Sequence, residues 1–246
     1  MSLEGISEGG RFCVLAIDHR DSLRAFLSPD DVDAVSDEEL TQLKVDIVGT
    51  ASHLATGVML EPEFSIPQLL DAGALADGVG FCAALESQGY LGRMGEEPTT
   101  LLDGWSVEAA KASGASACKL LLPYHPDRPL AADQEAVARE VIAECRRVDL
   151  PLVLEPLFYD LDGPEDRRRV VMETTRRFAA QDPHLLKLPF PVDPIHETDR
   201  AVWADACAEM GSLIPMPWTL LSGGGDFESF YAQVEAVLEG GASGCM

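Results

Sequence analysis

The sequence predicts an α/β protein folded as a closed (β/α)8 TIM barrel, and three observations carry that expectation. Short apolar runs recur eight times along 246 residues. Amphipathic segments lie between them, which implies a parallel sheet with crossover helices. The glycine fingerprint of an open dinucleotide-binding sheet, Gly-x-Gly-x-x-Gly, does not follow the first run.

"FCVLAID" (12–18) is apolar and ends on Asp18, as a buried strand does when it delivers a side chain to the end of a sheet. The same form returns at 57–61, 79–86, 116–122, 150–156, 184–190, 217–222 and 242–246. Helices are predicted between these runs. "SDEELTQLKVDIVGTASHL" (36–54) opens on Ser36 with Glu39 three residues on, the pattern of a capping box. Residues 131–148, 164–181, 197–211 and 226–241 space their apolar side chains at three and four. No linker interrupts the pattern, so 1–246 is expected to form one domain. The polar, glycine-rich stretch 86–100 reads as a loop beyond the third strand, positioned to act as a lid. The chain stops on its eighth strand with no helix behind it, so the C-terminal part of the barrel is expected to be missing from these residues.

The charge balance is strongly acidic, 42 Asp and Glu against 18 Lys and Arg, for a formal net charge of -24. Such a surface repels nucleic acid and anionic membranes. No apolar run is long enough for a membrane span and the N-terminus lacks the regions of a signal peptide, so a cytoplasmic location is expected. Six scattered cysteines without a Cys-x-x-Cys pair read as reduced core thiols. The histidines show no metal-binding spacing, and neither a metal nor another cofactor is expected. Trp105, Trp203 and Trp218 read as packing residues.

Reacting groups of such a barrel stand near the carboxyl ends of its strands. In chain order those positions hold Asp18, Glu61, Lys119, Glu155, Lys187 and Ser222. Lysine is scarce, present only at 44, 111, 119 and 187, yet two of the four lie inside apolar strands. Burial disfavours an ammonium, and a neutral amine attacks ketones and aldehydes to give a Schiff base that withdraws electrons from the neighbouring carbon. Lys187, in "HLLKLPFP", is the candidate nucleophile; the competing reading is a lysine that merely pairs with Glu155. Glu155 and Asp18 are acid and base candidates. "LLSGGGD" (220–226) leads from the seventh strand into a helix, where glycine amides and the helix N-terminus favour a phosphate.

These segments together resemble a known family. "LAIDHRDSLR", "FCAALESQGY", "GWSVEAAKASGASACKLLLPYHPD", "PLVLEPLFYD", "LLKLPFPVD" and "PWTLLSGGGDFESF" are similar, in the same order, to class I aldolases of the tagatose-1,6-bisphosphate aldolase group and to the related sulfofructosephosphate aldolases. The first motif departs at His19, where the group usually has glutamine. The resemblance implies that Lys187 forms the Schiff base and Glu155 handles its protons. It implies that Lys119 and Asp18 position substrate hydroxyls and assist cleavage, and that Arg20, Ser222, Gly223 and Gly224 bind substrate and phosphate. The group also carries a Gly-Arg phosphate element just past the eighth strand, which these residues do not reach. The implied substrate is a phosphorylated ketose, cleaved without a metal into dihydroxyacetone phosphate and an aldehyde. Barrels of this kind often associate, which leaves a homo-oligomer open. The other readings are a metal-dependent barrel using Asp18, Glu61 and Glu155, and a sugar-phosphate-binding regulator that has lost catalysis.

Overall fold

The computed structural model describes residues 1–87 and 94–246. Its eight strands follow one another around a single closed barrel in the order β1 to β8. They are β1 (Phe12–Ala16), β2 (Gly57–Leu60), β3 (Phe81–Ala84), β4 (Ala117–Tyr124), β5 (Leu152–Phe158), β6 (Leu185–Leu188), β7 (Trp218–Leu220) and β8 (Gly244–Cys245). Each falls inside one of the eight predicted runs, except that β4 and β5 continue two residues further. The helices are α1 (Asp21–Leu27), α2 (Asp37–Ala51), α3 (Ile66–Ala72), α4 (Val107–Ala112), α5 (Ala131–Val148), α6 (Asp166–Ala179), α7 (Arg200–Ser212) and α8 (Phe227–Glu239). The periodicity missed α1, α3 and α4 because helices of six or seven residues are too short to repeat an apolar stripe. The lid expected over 86–100 falls partly on 88–93, outside the described residues.

The chain divides into two compact units, the first comprising Met1–Met94, Thr100–Leu120 and Glu144–Pro151, the second Gly95–Thr99, Leu121–Ala143 and Leu152–Met246. In the first unit β1, β2, β3 and the start of β4 pair in parallel, with Ala16 opposite Met59, Leu60 opposite Ala83 and Ala84 opposite Lys119. Helix α2 begins as the sequence requires: Ser36 accepts from the Glu39 amide while the Glu39 carboxylate accepts from the Ser36 amide. A short 3-10 turn, Glu4–Ile6, buries Ile6 completely and packs at the amino ends of β2 and β3. There the Gly80 amide donates to the Gly5 carbonyl at 3.1 Å. A Cβ at Gly80 would collide with that same carbonyl and with Ser116 Oγ, so the approach requires glycine. Gly80→Ala is expected to cost about 1–3 kcal/mol through overpacking, read as a lower urea midpoint with an unchanged slope.

In the second unit β5, β6, β7 and β8 pair in parallel, with Leu154 opposite Leu186, Lys187 opposite Thr219 and Leu220 opposite Cys245. Their side chains are almost wholly buried, as a parallel sheet covered on both faces demands. Tyr124 meets Phe178 of α6 edge to face at 4.7 Å between ring centres, and Phe190 meets Trp203 of α7 in the same way at 4.8 Å. Trp203 and Trp218 are buried, and the Trp105 indole in the first unit donates to the Ala84 carbonyl. No helix among the described residues is long and apolar enough to cross a membrane.

Candidate active site

Beside the strand ends of the second unit, Lys187 and Glu155 form a buried pair. Lys187 lies within β6 and Glu155 within β5; both are about 5 % exposed, and the Lys187 Nζ is 3.0 Å from Glu155 Oε1. Adjacent parallel strands place them there, because β5 and β6 register Leu154 against Leu186, one residue before each. Two opposite charges so deeply withdrawn from water depend on each other for compensation. The geometry meets the requirement for a lysine whose proton must leave before it attacks, with an acceptor already at hydrogen-bond distance.

The glycine loop of this unit stands open. Ser222, Gly223, Gly224 and Gly225 are exposed, Gly224 and Gly225 have φ of 78° and 120°, and the space a Cβ would fill at each of the three glycines is empty. The Ser222 amide is already committed to the Met246 carbonyl at 2.9 Å, so an anion would meet the Ser222 hydroxyl and the glycine amides instead. Asp226 caps α8 by accepting from the Ser229 amide, which sets a carboxylate at the same helix terminus. His125, just past β4, is buried; its Nδ1 accepts from the Asp127 amide, and burial pushes its pKa below the usual histidine value.

In the first unit Lys119 of β4 is the hub. Its Nζ lies 2.8 Å from Asp18 Oδ2 and also contacts Glu86 Oε1, all three side chains being nearly inaccessible. Arg20 is buried as well: it donates to the Glu63 carboxylate and, at 2.8 Å, to the Glu86 carbonyl, while its Nε has no hydrogen-bond partner among the described residues. The Arg20 guanidinium is therefore held by protein on two sides, and an incoming anion must compete with Glu63 for it. Sequence reasoning passed over Glu86 and Glu63. Glu86 carried the same signal as Asp18 and Glu155, a carboxylate closing an apolar run; Glu63 sits in a loop with no pattern to mark it.

Glu61 is placed differently from the sequence reading, which set it among the reacting groups. It is fully buried and accepts from Lys44 Nζ at 2.5 Å, from the Glu63 amide at 2.7 Å and from the Phe64 amide. Those bonds use both carboxylate oxygens to fold the turn after β2, so Glu61 holds Glu63 in place. Lys44, on α2, has no exposed surface, and burial holds its pKa below that of an ordinary lysine despite the attraction of Glu61. Among the described residues no three His, Cys, Asp or Glu side chains gather closely enough to hold a metal ion.

Tagatose 1,6-diphosphate aldolase of Staphylococcus epidermidis is 29% identical over 170 residues, which cover 68% of this chain and 51% of that protein. The enzyme of the same name from Streptococcus pneumoniae is 30% identical over 161 residues, 64% of this chain and 48% of that one. The chain thus spans about half the length of these curated relatives. Among solved structures, an archaeal fructose-1,6-bisphosphate aldolase with its catalytic Lys covalently bound to the carbinolamine intermediate shares the fold, with a TM-score of 0.65 at 21% identity over 96% of this chain and 85% of that one. The pattern of the DeoC/LacD family aldolases matches residues 12–246, and the chain belongs to that family.

Proposed function

We propose that this chain is a class I, metal-independent aldolase that cleaves a phosphorylated ketose such as tagatose 1,6-bisphosphate into dihydroxyacetone phosphate and glyceraldehyde 3-phosphate. The observation that carries the proposal is the match of residues 12–246 to the DeoC/LacD family aldolases, with the buried Lys187–Glu155 pair at 3.0 Å as its candidate nucleophile and proton carrier. The family match, the names of the curated relatives and the covalent lysine intermediate of the archaeal fold neighbour support it.

In this reading Glu155 takes the proton of the Lys187 ammonium, and the neutral amine adds to the ketose carbonyl. The carbinolamine hydroxyl then leaves as water with a proton returned by Glu155, giving an iminium. Asp18 accepts the proton of the C4 hydroxyl as the C3–C4 bond breaks; the bonding electrons pass into the iminium, leaving an enamine and a free aldehyde. Protonation at C3 and hydrolysis restore Lys187. Lys119, 2.8 Å from Asp18, positions that carboxylate and presents an ammonium to the substrate hydroxyls. Arg20, Ser222, Gly223 and Gly224 are proposed to hold the substrate's anionic ends. Residues 1–246 act as one aldolase domain of a cytoplasmic enzyme that needs no cofactor.

Sodium borohydride with dihydroxyacetone phosphate, in a chelator, tests the proposal. The expected result is an irreversible mass increase on the peptide carrying Lys187, with activity unaffected by the chelator. An unlabelled Lys187, or activity that disappears with the metal, rejects it.

A further inference from the structure

Beside Lys187 stands a polar group that the chemistry above does not use. Thr219 is the register partner of Lys187 on the neighbouring strand, so the two side chains project from the same face of the sheet, on strands about 4.8 Å apart. Thr219 has no exposed surface, and its Oγ1 has no hydrogen-bond partner among the described residues. On its other side β8 offers nothing to satisfy it: Leu220 pairs with Cys245, so Thr219 lies beside Gly244, which has no side chain. A buried hydroxyl without a partner is a cost that a valine of the same shape would remove. Glu155, Lys187 and Thr219 therefore lie across three successive strands, with the lysine satisfied from the β5 side and an unused acceptor on the β7 side.

We propose that Thr219 is a positioning residue for Lys187, its hydroxyl accepting a hydrogen bond from Nζ once Glu155 turns to the carbinolamine oxygen. This rests on the Schiff-base reading of Lys187. Glu155 cannot hold the nitrogen and deliver a proton to the departing hydroxyl at the same moment. After water has left, the protonated iminium keeps one N–H, and an acceptor on the β7 side fixes the plane of the C=N bond in which the electrons of the C3–C4 bond must be received. The threonine hydroxyl is an acceptor that cannot take the iminium proton away, as a carboxylate would.

The test compares Thr219→Val and Thr219→Ser with the parent protein. Thr219→Val keeps the shape and removes the hydroxyl, so the thermal midpoint is expected to stay level or rise, while kcat falls about 10- to 100-fold with little change in KM, as the loss of one hydrogen bond to a charged group implies. The rate of borohydride trapping at Lys187 falls in parallel. Thr219→Ser, which keeps the hydroxyl and loses a methyl group, is expected to retain kcat within about threefold even where it lowers the midpoint. Unchanged kcat and trapping rate in Thr219→Val overturn the proposal, as does a serine variant no more active than the valine one. Absence of any label on Lys187 in the parent protein rejects the Schiff-base reading itself and this inference with it, whereas normal labelling in both parent and Thr219→Val rejects the inference alone.

Discussion

Lys187→Met is expected to remain folded and to lose turnover by about 10^4-fold, together with all borohydride labelling. Methionine fills much of the lysine's volume at a buried position of β6, so the strand keeps its apolar surroundings. What disappears is the amine, and no other side chain described in that strand can form the covalent link. The change also removes the charge that lies 3.0 Å from the Glu155 carboxylate. Circular dichroism checks the fold, and steady-state release of dihydroxyacetone phosphate checks the rate. Turnover within tenfold of the parent's rules out a covalent role for this residue.

Lys44→Met is expected to be the costliest change outside the candidate site, about 3–5 kcal/mol of stability, because it strands the Glu61 carboxylate in a location without solvent. The direction in which burial moves the Lys44 pKa indicates that desolvation outweighs the attraction of its partner. The ion pair therefore stabilises little in net terms, yet each half depends on the other. Its structural return is the turn after β2, where Glu61 holds the amides of Glu63 and Phe64 and Glu63 reaches Arg20. Urea denaturation of Lys44→Met, Glu61→Gln and the double variant measures the dependence: the double change is expected to cost less than the sum of the singles by about 0.5–3 kcal/mol. Strict additivity would show that the two side chains act separately.

The barrel was legible because a parallel strand buried on both faces must be apolar throughout, and eight such runs stand out of an acidic chain. Ser36 and Glu39 marked the start of α2 for the same reason, a local hydrogen-bond pattern written in adjacent residues. Lys187 and Glu155 were visible as charges interrupting apolar runs, and they meet as register on neighbouring strands requires. Lys44 was not visible. On a helix a lysine costs nothing in the pattern, and only the closeness of α2 to β2 shows that it points inward. Thr219 was hidden differently, since threonine is an ordinary strand residue and its lack of a partner exists only once β7 and β8 are paired. Arg20 was named, but its commitment to Glu63 depends on a turn that no local sequence signal describes.

The burial of lysine has a practical consequence for covalent probes. Lys44, Lys119 and Lys187 are withdrawn from water, whereas Lys111 is exposed. Lys111 itself is engaged by the carbonyls of Val148 and Asp149. Amine-directed dyes or cross-linkers applied to the native protein should consequently favour Lys111 over the three buried lysines, leaving the reactive interior untouched.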